Sequence, residues 1–174
     1  MMTRLFNTDG IDVARVLLRG AVGSTMIAHG LKHGRSLAGT AGWFGSIGFR
    51  KPDLQARASA VVEVGAGAAL IAGAATPVAA AAVVGTMAVA ARSVHAPNGF
   101  FITSEGWEYV MNLSVAAIAL SELGPGRWSV DRALGWDRKL RGGLAAATTS
   151  ALGLGAAAAQ LAAYYRAPAP GGSQ

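Results

Sequence analysis

From Ala58 to Ala91 the chain carries one charged residue, Glu63. A bilayer span needs roughly 20 mostly apolar residues, so this stretch is long enough to cross twice. Gly73, Thr76 and Pro77 mark a turn inside it. The pattern predicts one helix over about 54–74 and another over about 77–95. Upstream, Ile11–Leu31 forms a third apolar run, broken by Arg15, Arg19 and His29. Downstream, Trp107–Leu123 forms a fourth, holding Glu108, Asn112 and Glu122 and stopped by Gly124-Pro-Gly126. Leu144–Tyr165 has no charge and is rich in alanine, which inserts less strongly than leucine. It is read as a fifth span, with an interfacial or soluble helix as its alternative.

Unpaired backbone groups are not tolerated in hydrocarbon, so the spans must be helices. Their Gly and Ala content fits close helix packing, and Gly30-Leu-Lys-His-Gly34 is one small-xxx-small pair. A soluble Ala-rich bundle would need polar outer faces, and none is visible from Val61 to Ala91. The expected fold class is therefore all-α: an integral membrane four-helix bundle core with a fifth transmembrane helix at the C-terminal end. Its expected divisions are a membrane domain over 1–135, a basic loop with an Ala-rich helix over 136–166, and a disordered tail over 167–174.

Composition agrees. The 174 residues are 52% hydrophobic and 14% charged, against about 25% charged in a typical soluble domain. Lys and Arg outnumber Asp and Glu by 15 to 9. In a soluble chain that excess would point to nucleic acid. Here the basic residues lie between apolar blocks, so anionic headgroups of the lipid bilayer explain it better and no nucleic-acid partner is expected. Cysteine is absent, which excludes disulfides, thiol catalysis and Cys-ligated clusters. No cleavable signal is evident, so the first span is expected to stay as an anchor. The basic cluster at 127–141 favours a cytoplasmic N-terminus in a bacterial inner membrane.

Threading the spans antiparallel, at about 1.5 Å per residue, gathers polar residues at two levels. Toward one side lie His29, His33, Arg92, His95, Asn98, Glu108 and Tyr109, with Glu63 below them. Toward the N-terminal side lie Arg15, Arg19 and Glu122, expected to form structural ion pairs. A charge at the centre of a span costs at least ~2.5–3.5 kcal/mol on insertion scales, so such groups face the bundle interior and pair. Glu63, a lone carboxylate among Val, Ala and Gly, must pair or be neutralised. The first cluster reads either as a pocket or as ion pairs fixing helix register.

A quinone head could accept hydrogen bonds there. Haem held between His29 and His95 fits less well, because its walls would be Ala and Gly. A metal site using His29, His33, His95 and Glu108 lacks a defined fourth ligand, and no metal is expected. The Gly-rich stretch from Gly39 to Lys51, with Trp43, Phe44 and Phe49, reads as an interfacial loop with aromatic anchors. No nucleotide loop, metalloprotease or serine-hydrolase motif is present.

These residues resemble the DoxX family of small bacterial membrane proteins. The resembling stretches run from Leu17-Leu-Arg-Gly to His29-Gly-Leu-Lys-His33, then Gly39-Thr-Ala-Gly-Trp-Phe-Gly-Ser-Ile-Gly-Phe49 and Val62-Glu-Val-Gly-Ala-Gly67. His95-Ala-Pro-Asn-Gly-Phe-Phe101, Gly106-Trp-Glu-Tyr109 and Gly124-Pro-Gly-Arg-Trp-Ser-Val-Asp131 follow. The resemblance implies a four-helix membrane core and marks His29, Glu63, His95, Asn98, Gly99, Phe100, Glu108 and Tyr109. It also implies a link to quinone-coupled or oxidative-stress assemblies, since related DoxD-like subunits belong to thiosulfate:quinone oxidoreductases. The expected function is thus an accessory subunit, not catalytic alone, with membrane or soluble redox and stress proteins or further copies of itself as partners. A small transporter and a structural anchor that recruits soluble partners are the alternatives.

Overall fold

The computed structural model describes residues 3–138 and 143–168. It is all-helical, with no strand among the described residues. Helix α1 spans Thr3–Arg35, α2 Leu37–Ser46, α3 Pro52–Ala72 and α4 Thr76–Ala90. Helix α5 spans Glu108–Leu123, α6 Val130–Ala133 and α7 Leu144–Tyr164. Among the described residues, three helices are long and apolar enough to cross a membrane: Pro52–Ala72, Thr76–Asn98 and Leu144–Tyr164. The Ala-rich C-terminal helix is one of them. Helix α5 has 16 residues, about 24 Å of rise against roughly 30 Å of hydrocarbon, so its length alone does not make it a span.

The α3–α4 turn lies where the sequence puts it. Gly73 ends α3 in the left-handed region at φ 65°, a conformation that costs glycine little, and its N–H bonds to the Leu70 carbonyl. Pro77 follows within the first turn of α4, where its missing N–H is harmless.

Helices α1 and α3 approach through small residues. A methyl group added at Gly30 would lie 2.9 Å from both the Ala60 carbonyl oxygen and Glu63 Cβ. One at Gly67 would lie 2.5 Å from the Gly23 carbonyl oxygen. Gly85 of α4 and Gly153 of α7 face each other the same way, a Gly153 methyl falling 2.7 Å from the Ala81 carbonyl oxygen. Close backbone approach compensates for the small side chains by bringing many weak contacts into range. The core between these helices is built on Val22, Met26, Leu70, Val83, Val110 and Leu120.

Helix α7 packs against α4 and α5, and its end is tied back to the α2–α3 turn. Phe49 and Tyr165 form one antiparallel bridge, with Arg50 N–H on the Tyr164 carbonyl and Arg166 N–H on the Gly48 carbonyl. The expected tail lies outside the described residues from 169 onward, as do Lys139 and Arg141 of the basic cluster.

The reading of 39–51 as a loop is corrected: Leu37–Ser46 is helix. Glycine weakens an isolated helix by about 1 kcal/mol per residue, but tertiary contacts override that here. Trp43 and Phe44 stack at 5.1 Å, and Phe44 packs on Phe49 at 5.4 Å.

Candidate functional site

The N-terminal ends of α1 and α4 meet the α5–α6 turn in a network of buried charges. Arg19, 4% exposed, donates to the carbonyls of Leu70, Ile71, Pro125 and Trp128. It therefore satisfies the carbonyl end of α3 and orders the turn after α5. Asp131 accepts from the Ala75 and Thr76 amides and from the Thr76 hydroxyl at 2.7–2.9 Å, capping α4 from another element. Asp12 accepts from Arg15 at 2.8 Å and from Arg127 Nε at 2.7 Å.

The expected pairing of Arg15 or Arg19 with Glu122 is corrected. Glu122 accepts from the Gly143 and Ala146 amides and caps the N-terminus of α7. The free N–H groups of a helix start compete well for a nearby carboxylate, while the arginines are taken by Asp12 and by carbonyls.

The opposite level of the bundle is different. Between α1, α2, α3, α4 and α5 lies a cavity of about 720 Å³. Met26, Met87, Val110, Leu113 and Trp43 give it apolar walls, and His29, Glu63, His95 and Tyr109 reach it. These four are among the residues singled out in the sequence. Glu63 is 3% exposed. Its Oε1 accepts a short hydrogen bond from the Ser59 hydroxyl and lies 3.2 Å from His33 Nδ1. His33 Nδ1 is also 3.0 Å from Ser59 Oγ. Since the Ser59 hydrogen goes to Glu63, the serine oxygen accepts and His33 Nδ1 carries a hydrogen. Glu63 Oε2 is buried and has no hydrogen-bond partner.

Helix packing sets this arrangement. Gly30 lets α1 sit directly on α3, one turn below His33, which brings the His33 ring to Ser59 and Glu63. Trp43 and Phe44 of α2 then cover the ring at 6.3 and 5.9 Å. A smaller chamber of about 140 Å³ lies beside the cavity, lined by Gln55, Ser93 and Gln160. Glu63 and His33 line both spaces.

Helix α4 widens into a π-turn over Ala91–His95, the kind of bulge that often re-aims side chains at sites. His95 Nδ1 lies 2.6 Å from the Glu105 carbonyl. A carbonyl only accepts, so Nδ1 is the donor, and in the neutral ring Nε2 is left as an acceptor. Tyr109 and His29 approach at 3.5 Å, a weak contact.

Three expected members of the cluster sit elsewhere. Arg92 stacks over the Tyr165 ring at 5.5 Å, on the other side of α4. Asn98 donates to the Val94 and Glu105 carbonyls. Glu108 accepts from the Ile102 amide at 3.0 Å. Asn98 and Glu108 thus hold the 99–107 loop in shape and do not line the cavity. Conversely, His33 and Ser59 are the direct partners of Glu63, and the sequence reading gave neither that role. Among the described residues, no three His, Asp or Glu side chains converge as a metal ligand set.

The family model for DoxX matches residues 14–96, from α1 through the π-turn, and so includes His29, His33, Ser59, Glu63 and His95. The motifs from Gly106 onward lie beyond the matched residues. No curated protein and no solved structure matches the chain. Together with three helices long and apolar enough to cross a bilayer, the family match points to a multi-pass membrane protein. The DoxX family that the sequence motifs resemble is thus matched by its model over residues 14–96, a little under half of the chain.

Proposed function

We propose that this protein is a bacterial inner-membrane accessory subunit of a redox or oxidative-stress assembly, and that its cavity receives a quinone-type head group. In this reading α1 and α5 cross the bilayer beside α3, α4 and α7, with the N-terminus cytoplasmic. In this reading catalysis belongs to partner proteins; the chain has no cysteine to serve as a thiol nucleophile.

One observation carries the reading. A cavity of about 720 Å³ with largely apolar walls has a buried carboxylate on its wall, held by Ser59 and His33. Apolar walls with a few fixed polar groups are what ligand sites generally offer. Trp43 supplies an aromatic face, and His29, His95 and Tyr109 supply polar contacts for ring oxygens.

The test is mass spectrometry of lipid-soluble molecules in gently extracted, purified protein. Quinone is expected with the wild type and depleted in His29→Ala and Glu63→Gln. Equal or absent quinone in all three preparations would sink the reading.

A small transporter is the second reading. Its supporting observation is that Glu63 and His33 line both the cavity and the adjoining chamber. It expects flux in proteoliposomes that Glu63→Gln abolishes, with no quinone bound.

A further inference from the structure

Three arginines gather where α7 ends. Arg92 lies over the Tyr165 ring at 5.5 Å. Arg50 donates to the Ala163 carbonyl, and Arg166 to the Tyr165 carbonyl at 3.1 Å. Among the described residues none of the three is paired with a carboxylate. Arg50 and Arg166 serve the carbonyl end of the helix. Arg92 does not. A guanidinium over a ring keeps its N–H donors in its own plane, and those of Arg92 meet no acceptor among the described residues.

Arg92 also stands at one end of a groove. A cleft of about 510 Å³ between α4, α5 and α7 opens at the side of the bundle, with Met87, Val110, Met111 and Leu154 among its apolar walls. Arg92 and Trp107 line it where α4 ends and α5 begins. Leu154 lies ten residues before the end of α7, about 15 Å deeper. Helices α4 and α7 are both long and apolar enough to span a bilayer, so the cleft between them meets acyl chains. Its Arg92–Trp107 end then sits at head-group depth, where basic and aromatic side chains anchor.

We propose that this cleft binds an anionic phospholipid. One acyl chain lies along the apolar walls, and the phosphate accepts hydrogen bonds from Arg92, with Arg50 and Arg166 adding charge. Guanidinium groups match phosphate oxygens two at a time. A zwitterionic head group brings a cation of its own, which three arginines without carboxylates repel; a net negative head group does not. The site is separate from Glu63 and does not rest on the quinone reading.

The experiment titrates the whole protein in neutral-detergent micelles with phosphatidylglycerol or phosphatidylcholine. Both lipids carry brominated acyl chains, which quench tryptophan on contact. The Trp107 signal is the difference between wild type and Trp107→Phe. Phosphatidylglycerol is expected to quench it at about fivefold lower mole fraction than phosphatidylcholine, as for one charge contact at the membrane surface. Arg92→Gln should abolish that preference. Arg57→Gln, which removes an exposed charge on α3 outside the groove, should keep it. Inorganic phosphate, which has no chain for the groove, should not displace the lipid at equal concentration.

Equal quenching of wild-type Trp107 by the two lipids would overturn the proposal, and that comparison needs no arginine variant to fold. So would no quenching by either, as where another helix fills the cleft. An equal loss of preference in Arg57→Gln would reduce the effect to general surface charge and overturn it too. Displacement by inorganic phosphate would make this a free-anion site instead of a lipid site.

Discussion

The two levels of the bundle each bury an ionisable side chain, and they treat it in opposite ways. At one level Arg19 is 4% exposed and bonds four carbonyls from two segments. At the other Glu63 is 3% exposed, bonds through Oε1 and, among the described residues, leaves Oε2 buried without a hydrogen-bond partner. Removing ions from water costs several kcal/mol each unless the surroundings restore their bonds. Arg19 has that cost offset inside the chain, so its work is structural. For Glu63 the chain offsets that cost at one oxygen only. Burial alone therefore does not mark a functional charge.

Arg19→Met should have the largest effect. It strips the Leu70, Ile71, Pro125 and Trp128 carbonyls of their donor, and about 3–5 kcal/mol of stability should go with it. Thermal unfolding in detergent would read this as a large loss of melting temperature or of folded yield. A melting temperature close to wild type would break the comparison.

Gly30→Val comes next. The added atoms meet Val64, Ala60 and Glu63 within 3 Å, so α1 must shift from α3, at about 1–3 kcal/mol. Any quinone binding should weaken in the same variant, because His33 moves with α1. Asp131→Ala uncaps α4 and should cost about 1–2 kcal/mol, here with the cavity unaffected.

Glu63→Gln sharpens the contrast. Replacing an incompletely bonded carboxyl by a near-isosteric amide should change stability by under about 1 kcal/mol, while weakening quinone binding. Tyr109→Phe should do least, under about 0.5 kcal/mol, since the contact it removes is 3.5 Å long. Chemical denaturation in mixed micelles would rank all five.

Much of this contrast is legible in the sequence, for reasons that also explain the omissions. Apolar run length exposes α3, α4 and α7, and Gly73 with Pro77 fixes the turn between the first two, because these signals are local. Glu63 stands out for the same reason, as one charge in more than thirty residues. Its partner does not. His29 and His33 lie one turn apart toward the same end of α1, and depth alone cannot say which reaches α3. The spacing of Gly30 from His33 could have done so: the glycine marks the α1 face that meets α3, and three residues on returns to that face.

Arg19 and Glu122 fail for another reason. Matching charge to charge overlooks backbone carbonyls and helix-start amides, which are invisible in side-chain patterns yet abundant at helix ends. Helix α2 is missed because glycine counts against helix, while the ring contacts of Trp43, Phe44, His33 and Phe49 that hold it are tertiary. The 99–107 loop likewise draws Asn98 and Glu108 into its own backbone bonds.

The most direct test of the central claim is the melting temperature of wild type and Glu63→Gln, each with and without a saturating short-chain naphthoquinone. A ligand that binds only the native state raises stability by about 2.7 kcal/mol at a hundredfold excess over Kd. The account predicts two nearly equal melting temperatures without ligand and a rise in the wild type alone. A Glu63→Gln protein that unfolds as readily as Arg19→Met, or a wild type unmoved by ligand, would contradict it.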